Sequence, residues 1–167
     1  MSRARDIADL IGDGFSNVKE VLSGVCNGSQ HTVSSGTYTF PNVTTSFTTS
    51  TSYQDITGSN ITYLPPSGTK RVIYEFQYKT GAVDASQLSH LNLYLDGNEV
   101  TNARCSESGS GHYGGVTHFM WTFICDGSSD DNANGVVTSW TSGKEIKMQI
   151  RAYNTNFQVA VHKNVFF

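Results

Sequence analysis

The residues of this 167-residue chain with the most chemical potential are five histidines, fourteen carboxylates and three cysteines. Their spacing assembles no familiar reactive centre. His31, His90, His112, His118 and His162 lie in separate segments, and no HxH or HExxH pair occurs. Asp126, Asp130 and Asp131 share a loop rich in Gly and Asn and supply the hard oxygens that calcium prefers, but the EF-hand spacing is absent. A solvated loop is the favoured reading. Glycosidase chemistry needs two carboxyl groups about 5–10 Å apart; Glu75, Asp96, Glu99, Glu107 and Glu145 are available, and nothing selects a pair. Gly109-Ser110-Gly111 does not match GxSxG, and Gly114-Gly115 opens no phosphate cradle. Cys26, Cys105 and Cys125 are odd in number and lack CxxC spacing, so free buried thiols are favoured over zinc or a Cys105–Cys125 bridge. No catalytic residue, metal ligand or cofactor is therefore expected, and the chain reads as a non-enzyme. Three rings near loop ends, His112, Tyr113 and Trp140, are candidate receptor or glycan contacts, because ring faces stack on sugars. For Trp121 and most tyrosines core packing is the reading.

Composition narrows the class. Only 15% of residues are charged, against about 25% in an ordinary soluble domain. Ser, Thr, Asn and Gly make up 66 of the 167 residues. That excludes a coiled coil. Eleven Lys and Arg and a net charge of −3 exclude a strongly basic nucleic-acid binder. The 37% hydrophobic and 11% aromatic content is enough for a core. No apolar run approaches the roughly 20 residues of a membrane span, and MSRARDIADLIG has the wrong pattern for a signal peptide.

The elements read as three segments. Residues 1–26 form a helical arm: Ile7, Leu10 and Ile11 share one stripe, and Phe15, Val18, Val21 and Leu22 continue at helical spacing after Gly12 and Gly14. Residues 27–42 form a β-hairpin or neck around Ser34-Ser35-Gly36. Residues 43–167 form a β-sandwich of about eight strands. Within it, 43–52 is read as a strand, and Tyr53–Thr57 and Ile61–Leu64 flank the turn Gly58-Ser59-Asn60. Arg71–Lys79 alternates with Val72, Tyr74, Phe76 and Tyr78 on one face, and Leu91, Leu93 and Leu95 share a face before the hairpin signal Asp96-Gly97-Asn98. Val116–Cys125 is apolar on both faces, which suits a central strand or one covered at a subunit contact. Glu145–Tyr153 and Phe157–Val161 complete the set, followed by Val165-Phe166-Phe167.

The opening Ser2-Arg3-Ala4-Arg5-Asp6-Ile7-Ala8-Asp9-Leu10 resembles an N-terminal motif shared by virion structural proteins of marine tailed phages. SGTYTFPNVTTSFTTSTSYQDITGSNITYLPPSGTKRVIYEFQY, SHLNLYLDGNEVTNAR and SWTSGKEIKMQIRAY resemble a β-rich appendage domain of those phages. The resemblance implies an all-β, jelly-roll-type sandwich (C1q/TNF-like) with a short α-helical N-terminal arm. It implies a homotrimer located in the virion and assembled in the host cytoplasm. Arg3, Arg5, Ile7, Leu10 and Ile11 would dock the arm to other virion proteins of tail or capsid. It also implies a further closing strand after the region around His162–Phe167, where this sequence stops, so that the fold closes differently, a partner supplies the strand, or the last strand is absent. The expected function is a non-enzymatic trimeric surface appendage of the tail-fibre or adhesin class, with a host-surface glycan as candidate partner and neither nucleic acid nor membrane insertion. The alternatives are a capsid head decoration or cement protein, which the small size favours, and a glycan-active enzyme, which the missing acid pair disfavours.

Overall fold

The computed structural model describes residues 18–83, 86–110 and 115–162. The chain is all-β. A hairpin of β1 (Gln30–Val33) and β2 (Gly36–Thr39) comes first. Ten further strands follow: β3 (Phe47–Thr48), β4 (Gln54–Asp55), β5 (Ile61–Tyr63), β6 (Arg71–Ala82), β7 (Ser86–Leu95), β8 (Asn98–Glu99), β9 (Cys105–Ser110), β10 (Gly115–Ile124), β11 (Lys144–Ala152) and β12 (Val159–Val161). One sheet has the order β10-β6-β12-β3. The other has the order β4-β11-β7-β8, with β5 also on β11 and β9 also on β7.

The two sheets exist because alternation gives each an apolar inner face. Val72, Tyr74, Phe76 and Tyr78 of β6 and Phe119 and Phe123 of β10 are buried in one core with Leu91, Leu93 and Leu95 of β7 and Ile146, Met148 and Ile150 of β11. The β7–β8 connection is a two-residue turn, with Asp96 (φ 53°) and Gly97 (φ 80°) both in the left-handed region. That is the conformation that matches the right-handed twist of the flanking strands, and Asp-Gly adopts it readily.

β4 and β5 are two short pieces laid along one strand, and Ser59 closes the gap between them. Its hydroxyl accepts from the Met148 amide at 3.0 Å and lies 3.3 Å from the Met148 carbonyl, as its donor. The buried Tyr74 hydroxyl donates to the Ser59 carbonyl at 2.7 Å. One small side chain thus replaces the ladder bonds lost where the chain turns.

Several sequence expectations need correction. Residues 18–25 contain no helix. Val18, Val21 and Val25 are exposed, so the helical spacing there has no apolar surface to cover. Ile7, Leu10, Ile11 and Phe15 lie outside the described residues. In 43–52 only Phe47–Thr48 forms a strand; the next position, Thr49, is fully buried, and its hydroxyl accepts from the Val159 amide at 2.9 Å. The last described strand starts at Val159, because Phe157 closes a turn onto the Asn154 carbonyl. β12 itself pairs with both β6 and β3; residues 163–167 lie outside the described residues.

Replacing Ser59 with Ala leaves the Met148 amide without its buried partner. The expected loss is about 1–3 kcal/mol of unfolding free energy, read as a lower urea midpoint with an unchanged slope.

Candidate functional site

The outer face of the β10-β6 sheet carries the most unusual surface. Among the described residues β10 ends its sheet, so it lies at an edge; of the two readings of its apolar sequence, a central strand or one covered at a subunit contact, the first does not hold. It pairs with β6 over ten positions, from Gly115 opposite Thr80 to Ile124 opposite Arg71. This register turns Thr117, Phe119 and Phe123 inward and leaves Val116, His118, Met120, Thr122 and Ile124 outward. Ile73 is 65% exposed, Val116 66%, Met120 59% and Ile124 37%. Ile73 lies opposite Thr122, so Met120 and Ile124 are its diagonal neighbours and the three form one apolar patch. Beside it the His118 Nε2 is 2.8 Å from Glu75 Oε1.

Edge strands are normally blunted by Lys, Pro, inward charges or bulges. Gly115–Ile124 contains no Lys, Arg, Asp, Glu or Pro. The opposite sheet presents a different face. Lys147 pairs with Asp55 at 3.3 Å, Gln149 donates to Asp55 at 2.7 Å, and the Arg151 guanidinium lies 5.3 Å from the centroid of Tyr53. The outward face of β6 and β10 instead sets this apolar patch among the exposed Arg71, Glu75 and Lys79.

Of the three ring residues expected as ligand contacts, Trp140 alone lies among the described residues. Trp140 is only 6% exposed. Its indole N–H donates to the Tyr63 carbonyl at 2.9 Å, and its ring meets Phe123 edge to face at 5.9 Å. It belongs to the core: the segment after the 126–135 loop folds back over the sandwich, and an indole buries more apolar area than any other side chain could there. His112 and Tyr113 lie outside the described residues, as do Arg3 and Arg5. The loop carboxylates are engaged in closing their own loop. Asp130 accepts from the Thr138 amide at 2.6 Å, and Asp131 caps Asn134. The thiols are free, and only Cys125 is buried, where loss of solvent pushes it up to about 11; Cys26 is half-buried and Cys105 is exposed.

Glu20, which no motif or spacing singles out, organises the start of the described chain. Both Glu20 carboxylate oxygens accept hydrogen bonds. The Ser34 and Ser35 hydroxyls donate at 2.6 Å, and the Ser35 amide and Tyr63 hydroxyl donate at 2.8 Å. Glu20 therefore clasps the β1–β2 turn to β5. Partial burial pushes its carboxyl up, but these four donors outweigh that and bring it from 4.5 down to about 2.

No family model, curated protein or solved structure matches the chain.

The Glu20 pKa fixes a sign. The folded value lies below the unfolded one, so the clasp contributes fully above pH 4.5 and is lost as the pH falls toward 2. The amide signals of Ser34 and Ser35 should move together through that window in an NMR titration, and Glu20→Gln should abolish the movement while leaving the β6–β10 amides unaffected.

Proposed function

We propose that the protein is a non-enzymatic structural component of a phage virion: a self-associating β-sandwich appendage of the tail-fibre or adhesin class, carried as a homotrimer. The single observation behind self-association is the outer face of β6 and β10. It combines exposed Ile73, Val116, Met120 and Ile124 with a ten-residue edge strand free of formal charge, whereas the other sheet's outer face is laced with ion pairs. Such an edge in a monomer invites uncontrolled pairing, and a partner copy covers it. In a trimer this face lies toward the axis.

The strand orders β10-β6-β12-β3 and β4-β11-β7-β8 support reading the sandwich as a jelly roll of C1q/TNF type, because β6 and β12 sit in one sheet while the strands next to them in sequence, β7 and β11, sit in the other. The virion assignment rests on the resemblance of Ser2–Leu10 to the phage motif. In this reading Arg3, Arg5, Ile7, Leu10 and Ile11 dock the chain to tail or capsid proteins. Repeating a weak receptor site three times raises its avidity.

The assembly is tested by mass. Light scattering of the purified chain should give three times the monomer mass, and Met120→Glu should give a folded monomer, because it places a carboxylate beside Glu75 in the contact. A wild-type monomer overturns the trimer, and an unchanged trimer mass in Met120→Glu overturns the β6–β10 face as its contact.

The docking role is tested separately. Removing residues 1–14 should leave a folded trimer that no longer enters particles; continued incorporation overturns it. Gold labelling of intact particles distinguishes tail from head.

A further inference from the structure

At one end of the sandwich both inner faces change character together. Along β6 the inward series Val72, Tyr74, Phe76, Tyr78 ends in Thr80, and along β10 the series Phe123, Phe119 ends in Thr117 and Gly115. On the facing sheet β7 runs from Leu95, Leu93 and Leu91 to Ser89 and Gln87, with Glu107 and Gly109 of β9 opposite them. Large apolar side chains would fill this space. Small polar ones leave a cleft of about 540 Å³ lined by Thr80, Gln87, Ser89, Glu107, Gly115 and Thr117. That lies within the roughly 300–1,000 Å³ of small-molecule sites.

Two groups in the cleft are costly for folding alone. The Ser89 side chain is 1% exposed, and its hydroxyl has no hydrogen-bond partner among the described residues. The half-buried Glu107 carboxylate accepts from the Thr117 hydroxyl at 3.0 Å and the Tyr78 hydroxyl at 3.4 Å, both through Oε2. Oε1 is left for another donor. Loss of solvent pushes the Glu107 carboxyl up, more than those two hydroxyls lower it. A half-buried carboxylate whose Oε1 has no donor, on the wall of an open cleft, points to a ligand that supplies the missing bond.

The chemistry limits that ligand. The described lining offers one carboxylate acceptor and the hydroxyls of Thr80, Ser108 and Thr117. Among the described residues it holds no lysine or arginine, and His118 at its rim is engaged with Glu75. Anions are therefore disfavoured. We propose that this cleft binds one neutral sugar unit, with Glu107 accepting from its hydroxyls and Thr80 and Thr117 completing the hydrogen bonds. The inference gives the appendage a ligand class and rests on that reading only for the biological source of the sugar.

Saturation-transfer NMR on the purified full chain tests it, with glucose, galactose, mannose and N-acetylglucosamine as probes and N-acetylneuraminic acid as the anionic control. At least one neutral sugar should bind and the acidic sugar should not. Glu107→Gln should weaken binding about tenfold or more while raising Tm at neutral pH, because the ionised carboxylate is disfavoured by folding; a purely structural Glu107 would lower Tm on replacement. Gly115→Leu should block binding: its backbone is not in the left-handed region, and an added Cβ meets only the Thr80 hydroxyl, at 3.8 Å. Thr80→Leu narrows the same space from the facing strand if Gly115→Leu fails to fold. Absence of binding by every neutral sugar, binding of the acidic sugar alone, or wild-type binding in both Glu107→Gln and a folded filling variant overturns the proposal. The mass of the same sample separates the two readings: a sugar-binding monomer overturns only the trimer, and a trimer that binds none of the probes overturns only the cleft.

Discussion

The register between β6 and β10 is the constraint on which the rest depends. Each of its ten pairs assigns one face to the core and the other to the outside. A slip of one residue would expose Phe119 and Phe123 and drive Met120 and Ile124 inward. Phe123 is also the ring against which Trp140 packs, and Trp140 in turn holds the Tyr63 carbonyl. The same pairing therefore reaches the opposite sheet through β5. It sets where the apolar patch lies, and it brings Gly115 and Thr80 together at the mouth of the cleft.

The two outer faces and the cleft express one division of labour. Charged pairs keep the β11 face in water. The β6–β10 face gives up that protection along its edge. The core gives up packing at one end, where Ser89, Thr80, Thr117 and Gly115 stand in positions that leucine or valine would fill. Each departure lowers the stability available to an isolated chain, and each falls on the β10 side of the molecule.

Sequence pattern made the long strands legible. Arg71–Lys79, Leu91–Leu95 and Lys144–Ala152 alternate strictly, and their inward residues are the core. Asp96-Gly97 specified its own turn. What stayed hidden was long-range. Nothing local says that Val116–Cys125 sits at an edge, because an apolar outer face reads the same whether the cover is a neighbouring strand or another molecule. Trp140 looked like a loop residue because its partners, Tyr63 and Phe123, are distant in sequence. The spacing of Val18, Val21 and Leu22 fits a helix, but Glu20 between them finds four donors from the hairpin turn and β5, and an extended path satisfies it. The polar end of the core was visible only as scattered Ser, Thr and Gly until two sheets brought them face to face.

The Glu20 clasp also has a mechanical meaning. Tension applied at Val18 reaches the sandwich through the Ser34-Ser35 turn and the Tyr63 hydroxyl before it reaches any main-chain ladder. These contacts act in parallel on one carboxylate, so they yield together. When the clasp opens, the hairpin stays tied to the end of β5 by the Tyr38 hydroxyl, which donates to the Leu64 carbonyl at 2.9 Å, and Lys19 stays on the Ser67 carbonyl at 2.7 Å.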